Sequence, residues 1–336
     1  MVELAANLIR LYVPLIVIGG LGLLLGYKLP PEIPQRLGKF LFWVGVPLGI
    51  FAFLRQSDLS ESIWIAPIVA WMAMLLGIGL AWGWMRLAGW RVSPQQIKEM
   101  SGERSAMEAA VSVLQPTPEP LAKPAQGSFM LASMVGNTGY LGFPVSLALV
   151  GPSYFGWAIF YDTLGSTLGA YGLGVLIAAR FGDGRFNRRQ LLRALVINPA
   201  LWSFGLGLLS HNIPFPAPIE TGLKGAGWCV VTIALLLIGM RLSKLRSWRR
   251  LSPAVVGLSI KMAIVPLVLG TGLSILGLPE PIHLVLVLQM AMPPAFATLV
   301  LAEAYDLDRE LTVTALAMGS IGLLVTLPVW LVLFAR

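Results

Sequence analysis

Apolar residues in this chain run in long blocks. They do not alternate as in half-buried strands, nor form the one-faced stripes of surface helices. Ten blocks approach the roughly 20 residues that a helix needs to cross a bilayer: about 8–28, 37–54, 62–88, 128–150, 153–180, 190–210, 219–240, 253–278, 281–303 and 311–334. The pattern predicts an all-α integral membrane protein with ten transmembrane helices. Most connections are short. The exception is 89–127, where Ser93-Pro94 predicts a helix start, with the serine as cap and the proline in the first turn. "QPTPEPLAKP" then predicts an extended stretch. This loop reads as a solvated linker or, alternatively, as a regulatory or oligomer contact.

Composition agrees: of 336 residues, 57% are hydrophobic and 12% charged, and the mean hydropathy is +0.79. The net charge of +8 acquires meaning from where the charges lie. Odd-numbered connections and the adjoining helix ends carry Lys28, Arg36 and Lys39, then Arg86, Arg91, Lys98, Arg104 and Lys123. They continue with Arg180, Arg185, Arg188, Arg189 and Arg193, then Arg241, Lys244, Arg246, Arg249, Arg250 and Arg309. Even-numbered connections carry only Arg55 and Lys224. Lysine and arginine remain on the cytoplasmic side of inner membranes. The expected protein is therefore multi-pass in the plasma (inner) membrane with both termini extracytoplasmic. The basic balance is a topology signal, and nucleic acid is not an expected partner. The first apolar block lacks a basic leader and a small-residue cleavage site, so it reads as a retained span. Cys229 is the one cysteine, and no intramolecular disulfide can form.

The first and sixth blocks match at an offset of 185 residues. "PLIVIGGLGLL" from Pro14 aligns with "PALWSFGLGLL" from Pro199, Gly20–Leu24 falls on Gly205–Leu209, and Pro31 and Lys39 fall on Pro216 and Lys224. The chain thus divides into two five-helix repeats, 1–180 and 181–336. An odd number of spans makes the second copy enter from the opposite side, which is the inverted plan of secondary transporters.

The fourth block contains "GNTGYLGFP" and the ninth "AMPPAFA". Glycine and proline at these corresponding places predict two interrupted helices, split at about 137–143 and 292–294, crossing at the midplane. Pro144 and Pro294 then lie at or near the first turn of a second half-helix. Unpaired amides at half-helix N-termini make an anion site out of backbone. Asn137 and Thr138 add side-chain donors and acceptors, and Gly139 permits close approach of a ligand. Substrate contacts are therefore expected at Asn137, Thr138, Gly139, Pro144, Pro293 and Pro294. A kink that serves packing alone is the alternative reading.

Ionisable residues inside spans are functional candidates because burying them is costly. Asp162 and Lys261 qualify, as coupling or substrate-contact groups or, alternatively, as a structural pair. Asn198, ahead of Pro199, reads as a local hydrogen-bonding group, Glu303 as solvated, and His283 as a lone histidine near the outer surface. No cluster has metal-ligand spacing, and no nucleophile or phosphate-loop motif is visible. Neither a metal, a cofactor nor an enzymatic activity is expected.

These motifs resemble those of the auxin efflux carrier (PIN-like) family, bacterial type, within the bile-acid/sodium symporter-like superfamily. The matching pieces are "GNTGYLGFP", "INP…GLGLL", "KMAIVP", "AMPPAFATLVLAEAYDLDRE" and "TLPVW". The resemblance implies scaffold helices 1, 2, 6 and 7 and transport helices 3–5 and 8–10. It also implies elevator-type movement of small organic carboxylates, auxin-like or malate/malonate-like. Asn137 would be the family's crossover asparagine, and Pro144 and Pro294 its crossover prolines. Plant members carry their long loop between spans 5 and 6, whereas here it lies at 89–127. No carboxylate lies within 128–150 or 281–302, which favours proton coupling or uniport over sodium. The partners expected are a small organic anion, protons, the lipid bilayer and a second copy in a homodimer. The competing readings are a cation/proton antiporter using Asp162 and Lys261, and a membrane metabolite sensor that does not transport.

Overall fold

The computed structural model describes residues 2–30, 32–87, 121–183, 188–243 and 250–335. The Ser93-Pro94 helix start and most of the long loop lie outside these residues. The described chain is helical, and apart from one isolated bridge it contains no strand. Six helices are long and apolar enough to span a membrane: α2 (Glu32–Leu54), α3 (Ser62–Leu87), α6 (Phe155–Phe181), α9 (Ala217–Leu242), α10 (Leu251–Ile275) and α13 (Arg309–Phe334). α1 (Val2–Lys28) opens the chain. Shorter apolar helices fill the remaining blocks: α5 (Thr138–Val150), α8 (Pro199–Ser210) and α11 (Glu280–Met290). α4 (Lys123–Met134) precedes α5, α7 (Arg188–Ile197) precedes α8, and α12 (Phe296–Ala304) follows α11.

Several expected boundaries move. α2 starts at Glu32, ahead of residue 37, and takes Arg36 and Lys39 into its first turns. α4 starts at Lys123, with Pro124 in its first turn, so the end of "QPTPEPLAKP" is helical and not extended. The sixth block is two helices. Asn198 ends α7 and caps α8, its Oδ1 accepting from the Ala200 amide at 3.0 Å. Residues before proline are driven out of the helical region, and asparagine satisfies the amide thereby exposed.

Three prolines leave a common signature. Pro47, Pro144 and Pro266 each lie two residues beyond a five-residue stretch of wide, π-type turn: Leu41–Gly45, Thr138–Gly142 and Ile260–Ile264. A proline ring clashes with the carbonyl one turn back and offers that carbonyl no donor. Widening the preceding turn relieves both problems without ending the helix.

The helices gather in two sets. α1 packs along α9, and α2 packs on both α8 and α9. α3 packs on α4 and α6, and α10 on α13 and α4. In the first set the backbones come close: a Cβ added at Gly22 would overlap the Leu236 carbonyl, and one at Gly239 the Gly19 carbonyl. Small residues permit this approach, which membrane helices use in place of a hydrophobic driving force. The core of the second set is built on Phe129, Trp157, Phe160 and Val287, all nearly inaccessible.

Candidate substrate site

α4 and α11 both stop inside the protein. The chain after α4 leaves the helix at 135–137, and the chain after α11 at 292–295. These segments pair as an antiparallel bridge between Gly136 and Pro294. The Asn137 amide donates to the Pro293 carbonyl at 2.7 Å, and the Ala295 amide to the Val135 carbonyl at 3.0 Å. Two interruptions thus repair each other: buried backbone groups need partners, and each broken segment supplies them to its counterpart.

The first interruption lies earlier than the 137–143 read from sequence. Helix resumes at Thr138, because the Asn137 carbonyl accepts both the Leu141 amide (3.2 Å) and the Gly142 amide (3.0 Å). Gly139 and Gly142 therefore belong to α5. Pro144 follows in the next turn, away from the bridge, whereas Pro294 is in the bridge itself, ahead of α12.

Asn137 and Thr138 are buried beside the bridge. The Thr138 hydroxyl donates to Asp162 Oδ1. A Cβ at Gly139 would meet both Asp162 carboxylate oxygens at 3.4 Å, so the carboxylate lies over the first turn of α5. On the other side, Lys261 Nζ donates to the carbonyl of Met290, the last residue of α11, at 2.5 Å. A Cβ at Gly136 would be 3.1 Å from that Nζ. The anion thus faces the positive end of one short helix and the cation the negative end of another. Asp162 and Lys261 form no ion pair with each other. Both reside in wide-turn stretches, Tyr161–Thr167 of α6 and Ile260–Ile264 of α10. Such turns displace a side chain from its helical register and recur at functional sites.

Sequence reasoning missed Gln289. It is fully buried on α11, and its Nε2 donates to Ser146 Oγ at 3.1 Å. Its Oε1 has no partner and abuts Gly142. The Thr163 hydroxyl, next to Asp162, is also buried without a partner. A polar residue four positions before Pro293 in an apolar block was the available signal. His283 is a correction: it is buried, with Nε2 2.8 Å from the Gly270 carbonyl and its ring edge-on to Phe334. Packing of α10 on α11 draws it inward, where the carbonyl satisfies its ring nitrogen. Glu303 is exposed and pairs with Arg309 at 2.9 Å.

A small cavity borders the site between the two helix sets. Gly139, Tyr140, Phe143 and Pro144 of α5 face Val46, Gly49 and Phe53 of α2 and Gly227, Val230 and Ala234 of α9 across it. Its volume of about 20 Å³ accommodates about one water. Among the described residues no group of three or more histidine, cysteine or carboxylate side chains is placed to hold a metal ion.

The profile of the membrane transport protein family matches residues 120–331, a stretch that contains both interruptions, Asp162 and Lys261. This chain belongs to that family. The resemblance carried by the proline and glycine motifs is thereby borne out. An uncharacterized transporter of Methanothermobacter thermautotrophicus is 27% identical over 317 residues, covering 91% of this chain and 93% of the relative. An uncharacterized transporter of Methanocaldococcus jannaschii is 27% identical over 212 residues, covering 61% of this chain and 67% of the relative. The protein is a multi-pass membrane transporter.

Proposed function

We propose that the protein carries small organic anions, auxin-like or malate/malonate-like carboxylates, across the plasma (inner) membrane. The observation that carries this reading is the Gly136–Pro294 bridge. It brings two short helix starts, the buried Asn137 and Thr138, and the Asp162 carboxylate to one place. On this reading the bridge is the midplane crossover of two inverted five-helix repeats, with both termini extracytoplasmic. A substrate carboxylate binds the free amides of the first turn of α5 together with Asn137.

The packing supports an elevator-type movement on this reading. α1, α2, α8 and α9 act as scaffold, and the elements around the bridge move against them. The cavity between the two sets is too small for an organic anion. A substrate reaching Asn137 by that route requires α5 to separate from α2 and α9, as an elevator-type shift achieves.

Asp162 serves as the proton site. Its carboxylate already lies at the start of α5, where a second anion would be repelled. Protonation removes that repulsion, so anion and proton travel together. Lys261 holds the end of α11. A cation/proton antiporter remains a second reading, because a buried carboxylate and a buried ammonium both flank the bridge.

The test is counterflow in proteoliposomes with a panel of mono- and dicarboxylates, with and without a pH gradient. Counterflow of at least one carboxylate is expected. A pH change driven by Na⁺ or K⁺ in the absence of any organic anion favours the antiporter instead.

A further inference from the structure

Two arginines end helices of the α1, α2, α8 and α9 set, and they are satisfied differently. Arg55, just beyond α2, has acceptors for both terminal nitrogens of its guanidinium, while its Nε is buried without a partner. Its guanidinium binds Glu220 Oε1 at 2.5 Å, the Ile213 carbonyl at 2.7 Å and the Ser210 carbonyl, and it stacks on Phe215 at 3.8 Å. That is a clamp between connections.

Arg241, at the end of α9, is half-buried, and among the described residues no carboxylate or carbonyl pairs with it. Its guanidinium lies over the Phe296 ring at 4.7 Å and the Tyr140 ring at 5.9 Å. Phe296 opens α12, two residues beyond Pro294, and Tyr140 lies three residues beyond Asn137. Arg241 therefore reaches from α9 to both interrupted segments. Gly38 of α2 makes room for it, because a Cβ there would overlap Arg241 Nη2.

Stacking engages the faces of a guanidinium and leaves its N–H donors pointing out in the plane. An arginine held by its faces, with no acceptor at its edge, presents the fork that fits a planar carboxylate. Removing such a cation from water without a counter-ion is costly, and a bound anion would offset that cost. Tyr140 also lines the small cavity together with Gly139, two residues beyond Asn137. A ligand held by Arg241 would thus lie next to the bridge.

Resting on the organic-anion reading, we infer that Arg241 is a substrate-contact residue, the cationic donor that receives a carboxylate of the transported anion where α9 faces the interrupted helices. It also selects charge: carboxylates are held and neutral analogues are not.

The experiment is malonate uptake into proteoliposomes by the wild-type carrier, Arg241→Gln and Arg241→Lys. Reconstituted protein is quantified by size-exclusion chromatography. Loss of a charge-assisted pair raises the half-saturating malonate concentration of Arg241→Gln about tenfold or more, while the maximal rate changes less, and Arg241→Lys lies between. A second measurement needs only wild-type protein and so survives any folding defect. Modification of Arg241 by phenylglyoxal is followed by mass spectrometry, with and without malonate. Arg86, stacked on Trp82 at 3.6 Å, is the control. Malonate slows modification at Arg241 and not at Arg86. Unchanged half-saturation in Arg241→Gln with wild-type carboxylate uptake intact, or equal modification rates with and without malonate, overturns the role of Arg241 alone. A wild-type carrier that moves no carboxylate overturns the organic-anion reading and this inference with it.

Discussion

Lys261 Nζ donates to the Met290 carbonyl at 2.5 Å, so an ammonium group closes the end of a helix that stops inside the protein. That carbonyl has no amide one turn ahead, because the residue there is Pro294, which carries no N–H. Replacing Lys261 with methionine retains most of the side-chain volume and leaves the carbonyl bare. An unsatisfied buried acceptor costs about 1–3 kcal/mol. Lys261→Met is expected to lower Tm in detergent and to reduce uptake. An unchanged Tm would show that the carbonyl finds another donor.

Asn137 sets up both the bridge and the start of α5, but through its backbone: its amide binds Pro293 and its carbonyl binds Leu141 and Gly142. Alanine preserves those bonds and removes only the carboxamide. Asn137→Ala should therefore fold with a Tm close to wild type and abolish uptake in proteoliposomes. Full transport by this variant removes the side chain from the binding site.

Asp162 can be tested by separating exchange from net movement. Asp162→Asn mimics the protonated carboxyl and can still bond Thr138. Counterflow of a carboxylate, which needs no net proton movement, should persist. Uptake driven by an inward proton gradient should be lost, and the dependence of uptake on pH should flatten. Gradient-driven uptake equal to wild type would place the proton elsewhere or exclude coupling.

Gln289 keeps one carboxamide oxygen buried and unpaired, pressed against Gly142. Such an arrangement opposes stability. Gln289→Met removes the unpaired oxygen along with the bond to Ser146. The expected outcome is a Tm equal to or above wild type with uptake reduced roughly tenfold, the signature of a group retained for function at a cost in stability. Wild-type uptake would make Gln289 a packing residue.

Gly22 tests the close packing of α1 on α9. A side chain there collides with the Leu236 backbone, which cannot yield as a flexible side chain can. Gly22→Leu should lower Tm by several degrees. Gly20→Leu, at a position with open space around it, should leave Tm within about a degree of wild type. Equal effects of the two substitutions would contradict the packing described.

The blocks of apolar residues determined by themselves that the chain is helical and membrane-spanning. Its prolines determined where one helix breaks and three widen: Pro293-Pro294 ends α11, and Pro47, Pro144 and Pro266 each widen the turn before them. These effects are local, since a missing amide and a ring clash act within one turn. Asn198 was legible for the same reason. Tertiary structure alone decided that Gly136 meets Pro294. It also decided that Lys261 attends a helix end and not Asp162, that His283 is buried, and that Arg241 reaches both interruptions. Each of these depends on groups far apart in the chain satisfying one another in a medium that offers no water. Such pairing is set by how whole helices pack, which no single stretch of sequence encodes.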